Sequence, residues 1–115
     1  MNKSIFLLLF FAFSAHSEEW LNLAHNDGGK IDAKLSTCVV INNGQTAQCV
    51  FRLSGPSLKY AEEFYLVRVS KQECSQGYTK IAYRNLDGTV VFKWDAVIGE
   101  GTGASIVFSN LCNIF

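Results

Sequence analysis

The sequence predicts a mainly β protein: a small antiparallel β-sandwich or barrel of about six strands, stapled by two disulfides and with room for one short helix. Three observations carry that expectation. Runs rich in β-branched and aromatic residues alternate at period two, Asn-Gly and Asp-Gly dipeptides punctuate them, and all four cysteines of the 115-residue chain follow a leader-like first segment.

The leader is Met1–Ser17. Lys3 supplies the positive n-region, Ile5–Phe13 an unbroken apolar run, and Ala15-His16-Ser17 the small residues of a cleavage site. Spanning a bilayer takes about 20 apolar residues, and this run stops at nine. The expected product is a single exported domain, residues 18–115, in the periplasm or secreted beyond it, with no stable membrane insertion. Ten Lys+Arg balance ten Asp+Glu over the chain, so no positive excess exists to draw nucleic acid. An apolar content of 49% excludes disorder. A domain of this size buries barely two thirds of its unfolded surface, which explains the use of covalent staples.

Asn26-Asp27-Gly28-Gly29 marks the first turn. The segment Cys38–Cys49 then carries Asn43-Gly44 between two strand-like runs, the signature of a two-residue type I′ hairpin. Folding about that dipeptide pairs 40 with 47 and sets Cys38 opposite Cys49, close enough for a disulfide, with a bulge as the one device that shifts the register. Elimination leaves Cys74 with Cys112. No CxxC pair points to a metal instead, and neither a metal nor a cofactor is expected.

Gly55-Pro56 is the next turn, and Glu63–Ser70 alternates as a strand. Leu58, Ala61, Tyr65 and Val69 also fit a helical stripe, so Ser57–Gln72 has a helix as its alternative; a short helix or turn over Ser57–Glu62 leading into the strand is favoured. Lys80–Asp95 folds about Asp87-Gly88, pairing 83 with 92, 81 with 94 and 80 with 95. Ile81, Tyr83, Val90, Phe92 and Trp94 take the core side, and Lys80, Ala82, Arg84, Lys93 and Asp95 the other, with a surface ion pair between Lys80 and Asp95. Ala104–Ser109 closes the chain as a strand, and Trp20 is expected to plug the core.

Catalytic constellations are sparse. One histidine, His25, survives leader removal, in a turn region, and no GxSxG, HExxH or EF-hand pattern occurs. Glu62, Glu63, Glu73 and Glu100 are the acids from which a glycosidase pair would have to come. No enzyme activity is expected. Gly99, Glu100, Gly101, Thr102 and Gly103 form a glycine-rich connection that resembles a phosphate loop, but such loops open a helix and a strand is expected here. The sharper expectation is a protruding loop that carries Glu100 and Thr102 toward a partner.

In format the mature chain resembles periplasmic immunity proteins paired with type VI secretion effectors that degrade peptidoglycan. Val91-Phe92-Lys93-Trp94 and Ser109-Asn110-Leu111-Cys112 also resemble the last part of periplasmic lysozyme inhibitors. Both resemblances imply an exported inhibitor of a protein partner, a cell-wall hydrolase or effector toxin, with homodimerisation through a free strand edge as a further expectation. A third resemblance leads elsewhere. Cys38-Val39-Val40 to Cys49, a helix, then Lys80-Ile81-Ala82-Tyr83 is similar in order to the B subunits of pertussis-like toxins, which form pentamers and bind sialylated glycans. This chain differs in its shorter cysteine hairpin, in the additional Cys74 before the central strand, and in having no second closing cysteine near the terminus. A long helix over Ser57–Gln72 would favour the toxin subunit, a strand there the inhibitor.

Overall fold

The computed structural model describes residues 20–56 and 62–115. Six antiparallel strands follow one another as a meander, β1 (Trp20–Asn26), β2 (Gly29–Ile41), β3 (Thr46–Ser54), β4 (Glu62–Ser70), β5 (Tyr78–Arg84) and β6 (Val90–Val97), in one open sheet in chain order. Helix α1 (Lys71–Gln76) links β4 to β5, and α2 (Gly103–Cys112) follows β6. The mainly β expectation with two disulfides is met, but as one sheet covered by a helix rather than a sandwich or barrel. The expected leader, and the short helix or turn before Glu62, lie outside the described residues; Glu62 itself begins β4. Glu62–Ser70 is strand, so the helix alternative over Ser57–Gln72 does not form there.

The last element is a correction. Ala104–Ser109 is not a strand but the body of α2. Its β-branched Ile106 and Val107 suggested a strand, yet Ala104, Val107, Phe108 and Leu111 recur at helical spacing and, with Ser105, are the residues it buries. The Thr102 side chain accepts from the Ser105 N–H and caps the first turn. That helix supplies the second layer. Ala47, Cys49 and Phe51 of β3, Tyr65, Val67 and Val69 of β4, and Ile81 and Tyr83 of β5 alternate onto one face, where they form a core with Val107, Phe108 and Leu111.

Both hairpins form with the expected central register, Val40↔Ala47 in one and Tyr83↔Phe92, Ile81↔Trp94 and Lys80↔Asp95 in the other. Asn43 and Gly44 both have positive φ, and the Gln45 N–H donates to the Asn42 carbonyl, as a type I′ turn requires. Both disulfides are present, Cys38–Cys49 and Cys74–Cys112. A bulge does occur, on the far side of Cys38 from the turn: between Lys34 and Val39, β2 runs five residues while β3 runs two. Thr37 bridges the gap, its hydroxyl donating to the Lys34 carbonyl and accepting from the Val50 N–H.

In the second hairpin Val91 is an extra residue, so Arg84 pairs with Val90. Each inserted residue reverses the facing of the strand beyond it. Val90 therefore sits opposite Arg84 on the outer face and not, as expected, in the core, and Trp94, though on the inner side, is 60% exposed. Trp20 is not a core plug either. It lies on the outer face, under the Arg52 guanidinium at 4.3 Å and beside Phe64. Arg52 also forks onto the buried Asp32, at 3.2 Å through Nε and 2.9 Å through Nη2, and Asn22 donates to the same carboxylate. Gly29 and Gly55 lie against each other's strands so closely that a side chain on either would meet backbone, which fixes the β1–β2 turn beside the end of β3.

Candidate functional site

Helix α2 has 10 residues, so it spans about 15 Å, whereas six strands are about 24 Å wide. It cannot cover the whole inner face. Beside its first turn a cleft of about 610 Å³ stays open, floored by Ile31 of β2, Leu53 of β3, Tyr83 of β5 and Phe92 and Trp94 of β6, and walled by Thr102, Gly103 and Ala104. Gly103 is wedged there, because a Cβ on it would stand 3.1 Å from Ile31 Cδ1. On the other side of Gly103 a smaller cleft of about 300 Å³ shares Ile31 and Leu53 and extends to Gly101 and the β1–β2 turn.

The floor is aromatic. Phe92 stacks on Tyr83 at 4.7 Å, meets Tyr65 edge-on at 5.3 Å, and Trp94 stands at 6.4 Å from Phe92, nearly perpendicular. Burial pushes the Tyr83 phenol up to about 12. Tyr65 is pushed to about 12 too, by burial first and then by its bond to Glu63, whose Oε1 accepts the Tyr65 O–H at 2.6 Å. Both phenols are favoured as neutral groups in the fold. Their contribution to stability is complete below pH ~10, where the free phenol is also neutral, and is lost as pH rises toward 12. A tyrosinate absorbance titration is expected to show these two ionising last, together with loss of tertiary structure; ionisation of both near pH 10 in folded protein would contradict the buried cluster.

Among the cleft-lining side chains the charges are Glu63 and Asp95, with no base. Asp95 is engaged outward. It takes Lys80 Nζ at 3.0 Å and the Tyr78 O–H at 2.9 Å, which together hold its carboxyl below the usual range, Lys80 foremost. The site is therefore an apolar, aromatic slot with an acidic rim, suited to an apolar side chain flanked by cations.

The predicted loop divides at this rim. Gly99, Glu100 and Gly101 form the exposed link from β6, whereas Thr102 and Gly103 belong to the start of α2 and line the slot. The glycine-rich stretch does open a helix, contrary to expectation. Two donors of that first turn are already used, Ser105 N–H by the Thr102 hydroxyl and Ile106 N–H by the Thr102 carbonyl. The other acids flagged in the sequence are separately employed. Glu73 closes the capping box of α1 with Ser70 and accepts from Thr79, and Glu62 stands 4.0 Å from Arg52. His25 is exposed on β1, and Tyr78 is exposed on β5. Among the described residues no group of three His, Cys, Asp or Glu is placed to hold a metal ion, and no helix is long and apolar enough to cross a membrane.

The sequence reading did not bring Ile31, Leu53, Phe92 and Trp94 together as a slot; of the four Trp94 is exposed, whereas Ile31, Leu53 and Phe92 are partly buried against the core. It assigned Phe92 and Trp94 to the core because their face of the hairpin is apolar, and the signal for exposure was the short reach of the closing element. Among the described strands β6 is also an outermost one, with no strand paired to its free edge. Its Val97 N–H is taken by the buried Ser105 hydroxyl of α2, which closes that end. Comparison of the chain with protein-family models, curated proteins and solved structures gave no match.

Proposed function

We propose that the protein is an exported binding protein that inhibits a partner: a periplasmic immunity protein against a peptidoglycan-degrading effector of type VI secretion, or an inhibitor of a lysozyme-like enzyme. The observation that carries this reading is the open aromatic slot with its acidic rim, at whose edge the Glu100 loop stands exposed. Trp94 is a large apolar anchor left in solvent beside well-packed neighbours, the type of residue that dominates association energy when a partner covers it. Two disulfides suit an oxidising compartment. The toxin-subunit reading needed a helix where β4 lies, and loses that support.

The test is capture from periplasmic extract by the oxidised protein, residues 18–115, with mass spectrometry and light scattering of the complex. An identified cell-wall hydrolase in fixed stoichiometry supports the proposal; a ring-sized homo-oligomer that binds a glycan array and no hydrolase overturns it. Within such a complex Glu100→Ala is expected to weaken binding about tenfold or more, about 1.4 kcal/mol, with an unchanged melting temperature. Calorimetric titration checks this, and equal affinity removes the loop from the contact.

A further inference from the structure

The outer face, turned away from α2, carries a second feature of opposite sign. Strands β4 and β5 are paired only at Leu66↔Arg84, so the sheet opens between them toward α1. Lys93 lies directly across from Ala82. Arg84 and Lys80 are the same-face neighbours of Ala82 along β5, and the Leu66↔Arg84 register carries Arg68 level with it across the gap. Same-face neighbours lie about 5 Å apart across paired strands and about 7 Å apart along one. Four cations thus surround one small residue, and together they line a basin of about 330 Å³.

Acids offset it only in part. Glu73, the acidic residue of the lining, keeps its charge but is held by the Ser70 N–H and the Thr79 hydroxyl and pairs with none of the four cations. Lys80 is paired with Asp95. Arg68 and Lys93 are exposed and have no acidic partner among the described residues. Arg84 is fixed by its Nη1 bond to the Gly88 carbonyl at 3.1 Å, while its Nε is buried and has no acceptor. A buried guanidinium N–H without an acceptor is costly and rare, and Arg84 brings its full charge to the basin it lines.

We propose that this basin binds a phosphate group. Cationic residues surround Ala82 from three strands and line one basin, which suits an anion with three terminal oxygens and up to two charges better than a planar carboxylate. The group is a phosphate monoester, borne either by a soluble sugar phosphate or by a lipid whose headgroup ends in phosphate. The inference is independent of what fills the slot on the inner face.

The test is a titration of oxidised ¹⁵N-labelled protein, residues 18–115, with inorganic phosphate at low ionic strength, reading the Arg84 Nε–Hε and Lys93 amide signals. Saturable shifts at both, absent with chloride at matched ionic strength, are expected. Lys93→Gln and Arg68→Gln, both at exposed positions, are expected to weaken phosphate binding together by roughly tenfold or more without changing the melting temperature. Parallel arms with glucosamine phosphate and with phosphatidylcholine vesicles with or without phosphatidic acid identify the source, and binding in either arm that the double variant loses supports the proposal. Shifts that chloride reproduces, no saturable shift at Arg84, or full affinity in the folded double variant would overturn it.

Discussion

Phe108→Ala is expected to cost about 3–5 kcal/mol of folding stability, measured by urea denaturation of the oxidised protein. Phe108 is fully buried, and with Val107 and Leu111 it forms the face that α2 presents to the sheet. A helix of 10 residues has little stability of its own in water. It persists here because packing and a disulfide hold it. Removing the ring deletes the transfer energy of the largest side chain of α2 and leaves a cavity that the rigid sheet cannot close. Small domains have about 5–15 kcal/mol in all, so the variant should be marginal at room temperature. Trp94→Ala provides the contrast. At 60% exposure its ring contributes little to folding, and its truncation should leave the urea midpoint nearly unchanged. Equal losses for the two variants would mean that the slot is part of the core.

Replacing both Cys74 and Cys112 by serine is the second large effect, about 4 kcal/mol in the loop-entropy model for a bridge between residues 38 apart. The shorter Cys38–Cys49 loop, 11 apart, gives about 3 kcal/mol. Location sharpens the difference. Cys74 lies in α1, which crosses from β4 to β5 where the two strands share one paired position, and Cys112 ends α2, which packs on β1, β3, β4 and β6. The bridge thus ties the helix that spans both parts of the sheet to the connection at their weak seam. Hydrogen exchange should show β5 and β6 losing protection before β2 and β3 in the variant lacking it. Uniform loss along all six strands would contradict a seam at that position.

What was legible in the sequence was local. Asn43-Gly44 sets a hairpin register that places Cys38 opposite Cys49, and the other pair comes by elimination. Asp87-Gly88 worked for a less direct reason. The Gly88 N–H returns to the Asn85 carbonyl in a turn different from a two-residue Asp-Gly one, and the bulged Val91 restores the expected pairing beyond it. The bulge itself left no sequence signal, so Val90 was put on the wrong face. The last segment failed because six residues are too few to separate periods of 2 and 3.6 when two of them are β-branched; extended to Cys112, the stripe of Ala104, Val107, Phe108 and Leu111 favours the helix. With that segment read as a strand, Phe92 and Trp94 had a second sheet to cover them. The slot became visible only once a short helix took that place, and the cation basin depends on a gap in strand pairing that composition does not record.

The central claim is that the inner-face slot binds and silences a cell-wall hydrolase. The most direct measurement is clearance of a peptidoglycan suspension by the captured hydrolase, titrated with oxidised wild-type protein and with Trp94→Ala. Activity is expected to fall linearly to zero at the stoichiometric point with the wild type, and to persist at the same concentration with the variant, whose fold is intact. Full hydrolase activity in the presence of excess wild-type protein, or equal inhibition by both, would contradict the account.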